Sequence, residues 1–235
     1  MNIKLPVNDH LFVLEDVSKT VTSPEGQLTI LTDINFTISR GESVAIVGAS
    51  GAGKSTLLGL MAGLDETSTG KVIFNNQDLA ALDEDGRADV RAKNVGFVFQ
   101  SFHLIPSLNA LENVMLPLEL GGSEKAKSKA LEIVSEIGLE DRATHYPHQL
   151  SGGEKQRVAI ARAFAGEPAV LFADEPTGNL DTKTGENIIK TMFKLNREAS
   201  TTLILVTHDK ELAMLCNREI HLDAGRLIKD SPRDT

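Results

Sequence analysis

Gly48-Ala49-Ser50-Gly51-Ala52-Gly53-Lys54-Ser55-Thr56 fits the pattern G-x-x-x-x-G-K-[ST], and the fold is read outward from it. The apolar run Ser43-Val44-Ala45-Ile46-Val47 leads in as a buried strand, and Lys54-Ser55-Thr56-Leu57-Leu58 leads out as the start of a helix. A phosphate-cradling loop needs that strand–loop–helix context. Its glycines let the backbone curl so that successive N–H groups face one phosphate. The following helix presents its positive end to the same anion. Lys54 adds a full charge against the β- and γ-phosphates, and the Ser55 hydroxyl can ligate Mg²⁺.

The chain has 235 residues, 41% of them apolar, enough for one large α/β domain or two small ones. Its net charge is −9, and no run of five lysines or arginines occurs, which argues against nucleic acid as a partner. The single cysteine, Cys216, excludes an intramolecular disulfide and suits a reducing compartment. No apolar run approaches the length of a membrane span, and Met1 to His10 lacks the apolar stretch of a signal peptide.

Leu11 to Val17 reads as a strand, Ser23-Pro24-Glu25-Gly26 as a turn, and Leu28 to Ile38 as a second strand broken near Thr32-Asp33. An antiparallel sheet at the front of the chain follows. Gly70 to Phe74 and Val95 to Phe99 are further strands, with a polar helix from Asp83 to Lys93 between them. From Ser101 the character changes to a Pro-interrupted apolar loop, Phe102 to Leu108, and then to helices over Asn109–Leu118 and Glu124–Ile137. The second carries Leu131, Val134 and Ile137 on one stripe. A helix from Ser151 to about Ala165 comes next. Strands Val170–Ala173 and Thr202–Val206 then alternate with helices Lys183–Glu198 and Asp209–Leu215, and a hairpin built on Asp223-Ala224-Gly225 closes the chain. Apolar strands alternating with helices specify a mainly parallel core sheet. The tail from Asp230 to Thr235 reads as loose.

Two motifs carry chemistry besides the P-loop. The strand Val170-Leu171-Phe172-Ala173 ends in Asp174-Glu175-Pro176, and two carboxylates at the end of a buried strand call for a cation. Behind a P-loop that cation is Mg²⁺, held by Asp174, and Glu175 is placed to polarise a water in line with the γ-phosphate. Leu150-Ser151-Gly152-Gly153-Glu154-Lys155-Gln156 has capping-box spacing between Ser151 and Glu154. A Ser cap, two glycines and a helix N-terminus also make an anion site. One nucleotide does not need two phosphate sites on one chain, so this second site is expected to close on a nucleotide held by a second copy.

With Gln100, Asn179-Leu180-Asp181 and His208, these motifs stand in the order and spacing of an ABC-type ATPase, which the chain resembles from about Leu11 to Lys229. Ala173 to Asp181 and Phe97 to Pro106 are similar to the lipoprotein-release and macrolide-export (LolD/MacB) subfamily. The resemblance implies one ABC ATPase domain over residues 1–235, with an antiparallel β-subdomain and a helical subdomain over about 101–165. It implies an ATP-binding and ATP-hydrolysing transporter subunit with Mg²⁺ as cofactor, cytoplasmic and peripheral on the inner face of the cell membrane. The partners would be a second copy and an integral membrane permease of the FtsX/MacB type docking near Gln100–Leu108. Ser55, Gln100 and Asp174 would hold the metal. Glu175, His208, Gln100 and Lys54 would be catalytic. Ser151, Gly152, Gly153 and Asp181 would reach the opposite copy's nucleotide. In place of the family's adenine-stacking aromatic stands Val21, which leaves apolar contact alone for the base. The rival class is a non-transport ABC ATPase acting on nucleic acid or ribosomes. It is disfavoured by the short interval between P-loop and signature, the single ATPase domain and the acidic charge.

Overall fold

The computed structural model describes residues 9–24 and 26–232. Strands β1 (His10–Ser23) and β2 (Gly26–Ser39) form a long antiparallel hairpin. β3 (Ser43–Val47) runs into the P-loop and α1 (Lys54–Met61). β4 (Thr69–Phe74) turns through Asn75 and Asn76, both with positive φ, into the short β5 (Gln77–Asp78). Asp83 caps α2 (Glu84–Asn94), which leads to β6 (Val95–Phe99). Three helices follow: α3 (Ala110–Leu120), α4 (Ala126–Glu136) and α5 (Gly152–Ala165). β7 (Val170–Asp174), α6 (Thr182–Ala199), β8 (Thr202–Val206), the single-turn α7 (Lys210–Ala213), β9 (Arg218–Asp223) and β10 (Arg226–Pro232) complete the chain.

Two sheets result. One is antiparallel in the order β2-β1-β4-β5. The other runs β10-β9-β3-β8-β7-β6, parallel from β9 to β6 with β10 antiparallel at its edge. The central strands β3, β7 and β8 are buried almost throughout, which is why they read as unbroken apolar runs. Phe12 of β1 and Phe74 of β4 stack at 4.6 Å, and Phe172 of β7 meets Phe12 edge-on, joining the two sheets in one apolar cluster.

The structure departs from the sequence reading at four places. β1 continues to Ser23, beyond Val17. β2 is not broken at Thr32-Asp33 but bulged: Asp33 and Asp16 both take positive φ, and Asn35 fastens the bulge by accepting from Asp16 N–H at 2.9 Å. In α4 the buried stripe is Ala126, Ala130 and Val134, and Leu131 points to solvent at 45% exposure. Asp230, Ser231 and Pro232 are not loose. They belong to β10, where the Asp230 carboxylate grips the Arg218 guanidinium at 2.6 and 2.5 Å. Residues 1–8 and 233–235, with the N-terminal reading and the end of the tail, lie outside the described residues. Among those described, no helix is long and apolar enough to cross a membrane.

Candidate functional site

Parallel strands deliver their carboxyl ends to one edge of a sheet, where open α/β sheets bind ligands. Here Ile46 pairs with Val206, Val206 with Asp174, and Asp174 with Phe99. The residues that follow these positions therefore emerge side by side: Gly48 after β3, Gln100 after β6, Glu175 after β7, and Thr207 and His208 after β8.

The P-loop is curled as its glycines permit. Gly51 and Gly53 have φ of 79° and 96°, and a Cβ on Gly53 would stand 2.7 Å from Leu31 Cδ2. Lys54 folds back over the loop and donates to the carbonyl oxygens of Gly48 and Ala49, each at 2.9 Å. An incoming phosphate would compete for that ammonium with a stronger, charge-assisted bond. Ser50, Gly51, Gly53, Lys54, Ser55 and Thr56 line a cavity of about 420 Å³ that Asp174, Glu175 and Val206 floor. Gly48, Ala49 and Ala52 complete the loop without lining it.

The apolar wall of this cavity is Leu28 and Ile30 of β2. Val21 is not part of it. It sits across the hairpin as the pairing partner of Leu28. The sequence reading missed Leu28 and Ile30, although their i, i+2 spacing in an expected strand puts both on one face.

Ser55 Oγ stands 3.5 Å from Asp174 Oδ2. Burial pushes the Asp174 carboxyl above its usual range, the neighbouring Glu175 carboxylate adds to this, and Ser55 and Lys54 oppose it. A hydroxyl and a carboxylate are hard oxygen donors of the kind Mg²⁺ takes, and a cation would relieve both causes of the raised pKa. Gln100 is not bonded to either. Its Nε2 donates to Asn179 Oδ1 at 3.3 Å, and Asn179 Nδ2 returns a bond to Gln100 O at 3.0 Å. Among the described residues no cluster of three or more His, Cys, Asp or Glu forms a metal-binding set by itself.

Glu175 is held from three sides. Its N–H donates to Val206 O at 2.9 Å. Its Oε1 accepts from His208 N–H at 3.1 Å and lies 2.7 Å from His208 Nδ1. The imidazole is 78% exposed and the carboxylate 23%, so His208 reaches outward while its ring nitrogen braces the acid.

Ser151, Gly152, Gly153 and Asp181 are brought together elsewhere. Ser151 caps α5 in a complete capping box with Glu154. A Cβ on Gly152 would lie 3.2 Å from Leu180 Cδ2, and one on Gly153 2.6 Å from Thr184 Cγ2. Asp181 caps α6 by accepting from Thr184 N–H at 3.0 Å. None of these four lines the P-loop cavity.

A further residue, Asn113, carries no motif. It is fully buried in α3 and binds the loop after Gln100 from below. It accepts from Ile105 N–H at 2.9 Å and donates to the carbonyls of Ile105, Leu108 and Asn109 at 2.9–3.2 Å.

A P-loop on this mixed sheet facing a strand-end acid pair, with a helix capped by Ser-Gly-Gly apart from it on the same chain, defines a cassette-type ATPase. The chain belongs to the ABC transporter family, whose model matches residues 31–178. It is an ATP-binding and ATP-hydrolysing subunit of that class of transporter. It is 52% identical over 225 residues to the ABC transporter ATP-binding protein YbbA of Escherichia coli, covering 95% of this chain and 99% of the relative. It is 46% identical over 226 residues to the lipoprotein-releasing system ATP-binding protein LolD of Idiomarina loihiensis, with coverages of 95% and 99%. Among solved structures, the dimeric post-hydrolysis state of the ATP-binding cassette MJ0796 bound to ADP and Pi superposes with a TM-score of 0.87. The identity there is 42%, over 95% of this chain and 99% of that one.

Proposed function

We propose that two copies of this chain close head to tail around two ATP molecules, and that closing and reopening works a membrane permease of the FtsX/MacB type. One observation carries the reading. The two anion-binding features, the P-loop with Lys54 and the Ser151-Gly152-Gly153 helix cap, belong to one chain but do not share a cavity. A second copy supplies the missing half to each nucleotide, and the assembly of MJ0796 as a dimer supports that arrangement. Lys54 and the backbone of residues 48–56 hold the phosphates, while Leu28 and Ile30, rather than Val21, give the base apolar contact only. Ser55 and Asp174, with Gln100 nearby, would hold Mg²⁺, which when bound would supply charge neutralisation at the phosphates. Glu175 accepts a proton from the attacking water and His208 keeps that carboxylate aimed. Asp181 and the signature glycines face the partner copy's nucleotide.

The whole chain acts as one ATPase domain in which residues 101–165 form the helical subdomain. The permease docks beside Phe102–Leu108, against a groove of about 330 Å³ lined by Phe97, Phe99, Leu116, Pro117 and Leu120. The subunit thus works at the inner face of the cell membrane, with Mg²⁺ and ATP from the cytoplasm. The work is export, extraction of a lipid-linked substrate, or force transmission. The test is Glu175→Gln with ATP and Mg²⁺ in light scattering. We expect a stable dimer that ADP does not support. A monomer at saturating ATP, both alone and with the purified membrane partner, would overturn the reading.

A further inference from the structure

Gln156 lies on α5 one turn beyond the Ser151 cap and is completely buried. A buried carboxamide in a helix otherwise packed with Val158, Ile160 and alanines needs a reason. Its Nε2 donates to Pro176 O at 2.7 Å and approaches Phe99 O at 3.5 Å. Its Oε1 has no hydrogen-bond partner among the described residues. That asymmetry fixes the amide. Two carbonyl oxygens accept only from the NH₂ side, so rotating the group would set oxygen against oxygen.

The two carbonyls are the ones that matter for placement. Pro176 follows Glu175 directly, and Phe99 precedes Gln100 directly. The same face of α5 bears on the same segment with Gly152 against Leu180 and Gly153 against Thr184, positions spaced i, i+3 and i+4. Gln100 and Asn179 then bond each other in both directions. The exits of β6 and β7 are thus laced together, and the only polar side chain of buried α5 that reaches both is Gln156 among the described residues.

We propose that Gln156 is a positioning residue for hydrolysis, setting through Pro176 O and Phe99 O the backbone on which Glu175 and Gln100 stand. It touches neither nucleotide nor water. It fixes where the carboxylate and the carboxamide are presented when the second copy closes. The inference rests on the ATPase mechanism proposed above.

The test is steady-state ATPase kinetics of the full chain with Gln156→Met, which keeps volume and loses the donors, and Gln156→Glu, which turns a negative oxygen on the two carbonyls. A small misplacement of a reacting group costs on the order of 10–100-fold, so kcat is expected to fall by about that factor in the Met variant and further in the Glu variant. KM for ATP in the Met variant should stay at the wild-type value, because the P-loop cavity does not include Gln156, while the orphaned Pro176 carbonyl should lower the melting temperature by a few degrees, leaving the chain folded at the assay temperature. Full kcat in the Met variant would overturn the proposal. So would a loss of kcat matched by an equal loss in ATP affinity, or a Met variant already unfolded at the assay temperature, either of which marks a structural role. A wild-type chain that binds no ATP would remove the parent mechanism and this inference together, a result distinct from an active wild type with indifferent variants.

Discussion

Replacing Asn113 by alanine should loosen the loop that follows Gln100 without touching the nucleotide cavity. The side chain makes four hydrogen bonds to the loop, but they are not equal in consequence. Ile105 O keeps Leu108 N–H as a partner, and Asn109 O keeps Asn113 N–H. Ile105 N–H and Leu108 O are the groups that lose theirs. An orphaned buried backbone group costs about 1–3 kcal/mol. The loop is half-buried, so water partly repairs the damage, and we take about 3 kcal/mol for the pair. For a chain of this size each kcal/mol moves the melting temperature by about 2–4 °C, which gives a drop of about 6–12 °C. Calorimetry or circular dichroism reads it directly. Asn113→Asp keeps the acceptor for Ile105 N–H and puts a carboxylate against three carbonyls, so it should melt lower than the alanine variant at neutral pH. A melting temperature within about 2 °C of wild type for Asn113→Ala would refute the account of the loop as hung on this residue.

Two further predictions are independent of it. Gly153→Ala places a methyl 2.6 Å from Thr184 Cγ2, a stiff β-branched contact, and should cost about 1–3 kcal/mol in urea unfolding. Thr184→Ser removes that methyl and should restore most of the loss in the double variant, whereas simple additivity would show that the clash is not the cause. Glu154 is held below the usual carboxyl range, first by the Ser151 hydroxyl, then by the Ser151 N–H, with a smaller contribution from Arg142. A depressed folded pKa stabilises above the ordinary glutamate value, and the contribution is lost as pH falls through the folded one. Glu154→Gln should therefore flatten the acid-side decline of the urea midpoint below about pH 4.5, and parallel slopes would contradict the capping role.

What was legible in the sequence was whatever a local pattern encodes. The loop Gly48–Thr56, the acids Asp174 and Glu175 and the cap at Ser151 each combine a backbone demand with a chemical one, and the structure finds each at the expected strand or helix end. Buried parallel strands announced themselves as apolar runs. Leu131 was misplaced because α4 approaches its neighbours through small residues. Ala126 and Ala130 carry the contact, and a pattern that weights bulk favours the larger side chain. Asp230 was read as tail because its strand character depends on Arg218, twelve residues earlier. Asn113 and Gln156 are polar residues on apolar helix faces, and only the tertiary fold shows which carbonyls they meet. Val21 followed the family's alignment, yet the cavity is walled by Leu28 and Ile30 of the facing strand and does not extend to Val21.

Consecutive residues of a strand point to opposite faces, so Asp174 and Glu175 should not meet the same ligand. They do line one cavity, and the backbone shows why. β7 ends at Asp174, and Glu175 takes φ of +46°, a left-handed conformation that costs a non-glycine residue about 1–2 kcal/mol. The turn swings the second carboxylate to the side of the first. The Glu175 N–H donates to Val206 O, the carboxylate is held by His208 N–H, the His208 ring and the Thr207 hydroxyl, and Gln156 secures the next carbonyl. A glycine would adopt this turn without strain but would carry no carboxylate. The strain is thus a consequence of bringing two adjacent carboxylates into one cavity, and it requires support from β8 and α5 at once.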